Sequence, residues 1–394
     1  MRTTCLGLFC GAAASYNVQP LINHAQQQQH VSRSAAVFMG EQGIVKVGTR
    51  GSPLALAQAY ETQRRLKEAF PDELGHEGAI EICVIKTTGD MVLDKALKEI
   101  GGKGLFTKEL DVSLLNGAVD ICVHSMKDVP TWLVDGTVLP CNLPREDTRD
   151  AFISREGGSL KSLKNGAVIG TASLRRQAQL LAMNPTFTCV NFRGNVQTRL
   201  KKLSEGIVDA TLLAKAGLNR MNLAEHITEV LDWDMMLPAV AQGAIGIQCR
   251  ENDQKMLRYL AALNHQDTKV CVDCERAFLA ALDGNCRTPI AGQAKLVNGK
   301  LEFRGLIAKP DGTVLYKTTA SGAPADAVAI GEEAGKELKV KCGNDALAFF
   351  GDAEVKPEPK SSVTGVETDG LGGYVKGDYA MDASGKDPGF VATK

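Results

Sequence analysis

The sequence predicts an α/β protein with two doubly wound domains and a smaller α+β domain towards the C-terminal end. Three observations predict it. Apolar strand-like runs alternate with amphipathic helical stretches, and the alternation occurs twice, once before and once after Arg149. Beyond about residue 266 it gives way to a helix, hairpin-linked strands and a last helix. The chain has 394 residues, too many for one ordinary core. Such alternation implies a mostly parallel sheet with helices on both faces.

In chain order, residues 44–47 form an apolar strand. Ser52-Pro53 then supplies an N-cap and a proline at the first helical position, and that helix stops before Pro71. A strand follows at 79–85, a helix at 105–115 and a strand at 119–123. The second round has a strand at 167–170, a helix capped by Ser173 and ending near Pro185, a strand at 187–192, another helix and a strand at 210–214. In the last part a helix covers 270–282 and is ended by Gly284. Two strands meet at the Asn298-Gly299 turn, a third follows Pro310-Asp311-Gly312, and a helix covers 325–338.

Composition excludes several classes of function. Hydrophobic residues make up 44% and charged residues 23%, as in soluble globular proteins. The net charge of −1 argues against a general nucleic-acid binder, so any anion site must be a local cationic cluster. No apolar run is long enough to span a membrane. The eleven cysteines are scattered, many in apolar runs such as Ile121-Cys122-Val123, and read as buried thiols in a reducing compartment. Cys271 and Cys274 have redox or half-zinc spacing, but no second pair or histidine cluster accompanies them, and no metal is expected.

The two ends differ from the body. Residues 1–42 contain no acid before Glu41 and carry Ser, Arg and Gln, which suits an organelle-import segment without a fold of its own. Residues 352–394 are rich in Gly, Ser, Asp and Lys and are expected to be a disordered tail. The folded body is therefore about 43–351.

Four features of that body carry chemistry. Helix starts normally favour acids. Here Arg50 precedes one start, Ser173-Leu174-Arg175-Arg176 opens another, and Arg193-Gly194-Asn195 with Arg199 opens a third. Free backbone N–H groups and arginine forks together bind carboxylates or phosphates, and breaches of a local rule mark functional sites. Next, His124-Ser125-Met126-Lys127-Asp128-Val129-Pro130 follows a buried strand. Asp128 can act there on a leaving amine or a cation, or simply cap a turn; His124 reads as structural. The stretch 87–104, with Gly101-Gly102-Lys103-Gly104, reads as a lid rather than a nucleotide phosphate loop. Finally, Cys286 sits between a helix end and a strand with Arg287 beside it. It reads either as an ordinary loop cysteine or as an exposed thiol capable of covalent attachment.

Together these segments resemble the porphobilinogen deaminases. Gly48-Thr49-Arg50-Gly51-Ser52-Pro53-Leu54-Ala55, Gly101-Gly102-Lys103-Gly104-Leu105-Phe106, Val123 to Pro130, Ser173-Leu174-Arg175-Arg176, Arg193-Gly194-Asn195, Leu237-Pro238-Ala239-Val240-Ala241-Gln242-Gly243-Ala244 and Gly284-Asn285-Cys286 occur in family order across about 43–351. The resemblance implies two periplasmic-binding-protein-like domains, at 43–143 plus 240–262 and at 147–237, and a cofactor-carrying domain at 266–351. It implies a transferase that condenses four porphobilinogens head to tail on a dipyrromethane held by a thioether on Cys286. Ammonia is released at each step, and hydroxymethylbilane is then hydrolysed off, in the route to heme and chlorophyll.

By the same resemblance Asp128 is catalytic, and Lys127, Ser173, Arg175 and Arg176 bind the cofactor. Arg50, Ser52, Arg193, Arg199, Lys103, Phe106 and Gln242 bind substrate. Each pyrrole carries an acetate and a propionate, which explains the demand for local cations. The resemblance further implies a monomer. Thr171-Ala172-Ser173, Asn191-Phe192-Arg193 and Phe349-Phe350-Gly351 are similar to plant and algal members, so a chloroplast stromal location is expected. Asn285 stands where many bacterial members have glycine. Two rivals remain at this stage: a non-catalytic two-domain carboxylate binder, and a thiol redox enzyme using Cys271 and Cys274.

Overall fold

The computed structural model describes residues 43–91, 104–284 and 288–343. The import segment read at 1–42, Lys103 with most of the expected lid, Cys286 with its two neighbours, and everything from 344, including Phe349-Phe350-Gly351 and the 352–394 tail, lie outside the described residues.

The first α/β unit opens with β1 (Val45–Thr49), α1 (Pro53–Ala69), β2 (Ile80–Val84), α2 (Lys108–Leu115), β3 (Ile121–Ser125) and β4 (Thr137–Asn142). The chain then crosses to a second unit: β5 (Asp150–Ser154), β6 (Val168–Gly170), α3 (Leu174–Met183), β7 (Thr188–Val190), α4 (Val196–Ser204), β8 (Ala210–Ala214), α5 (Lys215–Arg220) and β9 (Glu229–Leu231). It returns through β10 (Ile245–Arg250) and α6 (Gln254–Leu263). The third unit is α7 (Gln266–Ala281), β11 (Ile290–Val297), β12 (Lys300–Ala308), β13 (Leu315–Gly322) and α8 (Ala327–Cys342).

The two large sheets share one plan. Their orders are β2-β1-β3-β10-β4 and β7-β6-β8-β5-β9. In each, the first three strands are parallel and the fourth is antiparallel to both its neighbours. That reversed strand is the one entered directly after a crossing between units. The expected mostly parallel α/β arrangement is therefore present twice, with one strand of opposite sense in each copy. Strand β3 shows why a parallel strand reads as a continuous apolar run: its first four residues are all buried.

Several local expectations are met by identifiable contacts. Ser52 Oγ accepts from the Ala55 N–H at 3.3 Å, and Pro53 occupies the first helical position. Asn298 and Gly299 both have positive φ, 49° and 77°, as the two-residue hairpin between β11 and β12 requires.

Others need correction. Helix α2 begins at Lys108, not 105, and residues 105–107 form a turn. Helix α7 begins at Gln266, four residues before the expected 270, because His265 Nδ1 accepts from the Thr268 N–H at 3.3 Å and serves as its cap. Gly284 does not end α7 through a left-handed backbone. Asp283 takes that conformation, with φ 53°. Gly284 is needed for space instead: a Cβ there would lie 2.5 Å from Ile290 Cδ1 and 2.6 Å from Leu279 Cδ1.

The third unit is not an appendage. Met126, Val129, Val240 and Ala241 share one apolar cluster with Val272, Phe278, Leu282 and Ile290. Ala178 and Leu237 pack with Leu306 and Ala308. Both large units and the crossing segments thus contribute to its core.

Candidate active site

Three helices turn their N-termini towards one cleft of about 340 Å³. Ser52 caps α1, Ser173 Oγ accepts from the Arg176 N–H at 3.5 Å on α3, and Asn195 Oδ1 accepts from the Thr198 N–H at 2.8 Å on α4. None of the three has an acid in its first turn. The partial positive charge of each helix end is thus left for a ligand. The cleft wall brings together the sequence-predicted Arg50, Ser52, Phe106, Lys127, Asp128 and Ser173 with Arg175, Arg176, Arg193, Arg199 and Gln242. Lys103 and Cys286 lie outside the described residues; Phe106, close in sequence to the one, and Leu279, Thr288 and Ile290, close in sequence to the other, line the cleft.

The arginines are not equivalent, although the sequence presents them alike. Arg175 and Arg176 are almost fully buried and share a carboxylate that sequence reasoning missed, Asp150. Arg175 Nη2 donates to Asp150 Oδ2 at 2.8 Å, and Arg176 Nη2 donates to Oδ1 at 2.8 Å. Arg175 Nη1 reaches the Leu237 carbonyl at 2.8 Å, and Arg176 Nη1 reaches that of Leu212 at 2.9 Å. Gln242 Nε2 adds a bond to Asp150 Oδ1 at 2.8 Å. Burial alone would raise the Asp150 pKa, but the two guanidiniums overcome it and hold the carboxyl well below the usual range. The available sequence signal was an aspartate at the head of the otherwise buried β5, a place where a charge needs a partner.

Arg50 lines the same cleft from the first unit. Its Nε donates to Asp90 Oδ2 at 3.0 Å, and its Nη2 pairs with Oδ1 of the same carboxylate. Thr87 Oγ1 also donates to Asp90, at 2.7 Å. Nη1 of Arg50 is 3.7 Å from Asp128 Oδ2, and the Phe106 ring stacks on the guanidinium with its centroid 4.2 Å from Cζ. Asp128 belongs to a single 3₁₀ turn, Met126–Asp128, that ends β3 at the cleft and leaves its carboxylate partly exposed.

The neighbouring cations repel one another. Burial pushes Lys127 below its usual pKa, and Asp128 pulls it back. Arg199 is pushed down to about 10 by burial and by the charges of Arg176 and Arg193, with Asp128 opposing. Both effects favour an incoming anion. His124 has the expected structural role: its Nε2 bonds Gln248 Oε1 at 2.9 Å, and burial lowers its pKa to about 4. Gln248 Nε2 donates onward to Asp111 and Thr137, so its Oε1 accepts from a neutral imidazole.

A linear dipyrrole bearing several carboxylates fits this donor set. The buried Gln242 Oε1 also has no partner among the described residues, so the wall still offers an acceptor. No group of His, Cys, Asp and Glu able to hold a metal occurs among the described residues. Cys271 and Cys274 are buried in the third core, and burial raises their thiols to about 11 and about 12, which removes the basis for a redox pair.

Fold and site define a class: a two-lobed α/β protein whose cleft is built for a multiply anionic small molecule. The family is shown by comparison with known proteins. The model described as "Porphobilinogen deaminase, dipyromethane cofactor binding domain" matches residues 45–258, and "Porphobilinogen deaminase, C-terminal domain" matches 269–340. Over 304 residues the chain is 62% identical to the chloroplastic porphobilinogen deaminase of Oryza sativa subsp. japonica, covering 76% of this chain and 84% of the relative. It is 60% identical to that of Pisum sativum over 304 residues, covering 76% and 82%. It is 50% identical to porphobilinogen deaminase of Nitrobacter winogradskyi over 313 residues, covering 79% and 97%.

The chain belongs to the porphobilinogen deaminase family. It is a transferase of tetrapyrrole biosynthesis, with porphobilinogen as substrate and a dipyrromethane as cofactor, and it is a plastid member of its family. The family match favours the enzyme over the plain carboxylate binder. Among solved structures, the periplasmic VFT2 domain of Bordetella pertussis BvgS is similar at 14% identity and a TM-score of 0.35, covering 61% of this chain and 91% of that one.

Proposed function

We propose that the cleft residues divide the work of condensing four porphobilinogens into hydroxymethylbilane as follows. Bound through Cys286, the dipyrromethane supplies the pyrrole carbon that accepts the first substrate. Lys127, Ser173, Arg175 and Arg176 hold its acetates and propionates. Asp150 acts behind the arginines, fixing both forks so that little reorganisation is needed when an anion arrives. Arg50, Ser52, Arg193, Arg199 and Gln242 receive the substrate's carboxylates, with Lys103 and Phe106 at the cleft edge.

Asp128 is the catalytic group. When the aminomethyl C–N bond of porphobilinogen breaks and ammonia leaves, a positive charge remains on the substrate. A partly exposed carboxylate within 3.7 Å of Arg50 offsets that charge and accepts hydrogen bonds from the pyrrole N–H groups. The observation carrying this reading is the convergence of three acid-free helix N-termini on the cleft that Asp128 lines. The proposed division of the chain is 43–143 plus 240–262, 147–237 and 266–351, and the protein works as a monomer in the stroma.

Intact-protein mass and turnover test the reading together. The wild type carries an added organic mass that is absent in Cys286→Ser. Asp128→Ala keeps the mass and loses nearly all turnover. Wild-type turnover by Asp128→Ala removes that residue from the mechanism, and a purified active wild type without an adduct overturns the covalent scheme.

A further inference from the structure

Arg276 is a cation that the reaction scheme leaves unused. It lies on α7, next to the fully buried Glu275. Its Nη1 donates to the Val129 carbonyl at 3.1 Å and its Nη2 to the Pro130 carbonyl at 2.7 Å. Burial lowers its pKa, and Asp273, the carboxylate opposing that shift, is itself gripped by Lys269 at 2.6 Å. A partly buried guanidinium committed to neutral carbonyls is costly, and such costs concentrate where function requires a fixed geometry.

The two carbonyls belong to the residues directly after Asp128. The same turn is held from its other side. Val129 N–H closes it onto the Met126 carbonyl at 3.2 Å, while Met126 and Val129 insert into the apolar cluster of Phe278, Leu282 and Ile290. Helix α7 continues to Ala281 and leads into the loop that carries Cys286. One helix of the third unit therefore grips the Asp128 turn of the first.

We infer that Arg276 is a positioning residue, one that ties the Asp128 turn of the first unit to helix α7 of the third so that the carboxylate keeps its place in the cleft. The guanidinium fork suits this task because one rigid plane reaches both carbonyls; a lysine reaches one at a time. The inference rests on the role proposed for Asp128.

The test uses the full chain and four variants: Arg276→Met, Arg276→Lys, Asp128→Ala and, as a control for loss of stability alone, the core substitution Leu160→Ala in the second unit, away from the cleft. Adduct mass, kcat, KM for porphobilinogen and Tm are measured for each. Arg276→Met retains the adduct and a KM near the wild-type value, while kcat falls about 10- to 100-fold, the scale of a displaced reacting group. Arg276→Lys recovers part of kcat, and Leu160→Ala lowers Tm without lowering kcat below its melting range. The inference is overturned if Arg276→Met keeps wild-type kcat, or loses kcat only as far as Leu160→Ala does. If Arg276→Met does not fold, Arg276→Lys decides: reduced kcat at unchanged KM supports the inference, and unchanged kcat overturns it. Asp128→Ala separates the two failures, because full activity there defeats the Asp128 reading, whereas an inactive Asp128→Ala beside a fully active Arg276→Met defeats only the role of Arg276.

Discussion

Arg176 grips Asp150 through two nitrogens, Nη2 to Oδ1 at 2.8 Å and Nε to Oδ2 at 3.2 Å, and the carboxylate is completely buried. With Arg175 on the other side, the helix start that the sequence offers as a free cationic site is a preassembled one. Its charge is shared with an internal carboxylate, and its forks are already aimed.

That relationship predicts the outcome of Asp150→Asn. Removing one member of a buried ion cluster typically costs about 3–5 kcal/mol, because the remaining charges stay buried without compensation. Urea unfolding at neutral pH should show a loss of that order, and the fraction of protein carrying the organic adduct should fall. The folded pKa of Asp150 is depressed, so its contribution is complete above the ordinary carboxylate range near pH ~4 and is lost only as pH falls well below it. Variant and wild type should therefore converge in stability only in strong acid.

Arg50→Lys should behave as a severe change. An ammonium cannot hold Asp90 at two points, face Asp128 and stack as a plane on Phe106. We expect kcat/KM to drop by about tenfold or more, since each 1.4 kcal/mol of lost interaction is a factor of about ten. Asp90→Ala should shift kcat/KM in the same direction, by releasing the guanidinium. Steady-state kinetics on protein of equal adduct content checks both, and unchanged constants for Arg50→Lys would remove the fork from substrate binding.

His124 predicts a pH dependence of stability. Burial lowers its pKa from 6.5 to about 4, so the folded state keeps it neutral while the unfolded chain takes up a proton. The stabilisation is present above about pH 6.5 and is lost as pH falls towards 4, by up to roughly 3 kcal/mol. Urea unfolding at pH 7 and pH 5 should show a larger loss in wild type than in His124→Gln. Direct titration of the imidazole by NMR near 6.5 would contradict the burial argument.

Gly312 predicts a docking defect. Its φ is +74°, and a Cβ would lie 2.5 Å from the Ala182 backbone nitrogen and 2.8 Å from the Ala178 carbonyl on α3. Beside it, Gln177 Nε2 reaches the Pro310 carbonyl at 3.2 Å. Gly312→Ala should destabilise the protein by about 1–3 kcal/mol through overpacking. The loss should appear as a lower Tm, while Gly299→Ala, where the added Cβ meets nothing within 4 Å, should cost less.

The sequence by itself determined what short-range rules govern. The Ser52-Pro53 and Ser173 helix starts, the Asn298-Gly299 turn and the apolar β3 depend on caps, backbone φ and side-chain period, which act within a few residues. The motif resemblance added the set of cleft residues. The tertiary structure decided the rest, because packing brings together groups far apart in the chain. It paired Asp150 with Arg175 and Arg176, bonded Arg276 to the turn of Asp128, and reversed the fourth strand of each large sheet, the strand entered directly after a crossing between units. It also gave Gly284 a role in close packing and left the left-handed backbone to Asp283, since steric room depends on Leu279 and Ile290, whose approach no local pattern encodes.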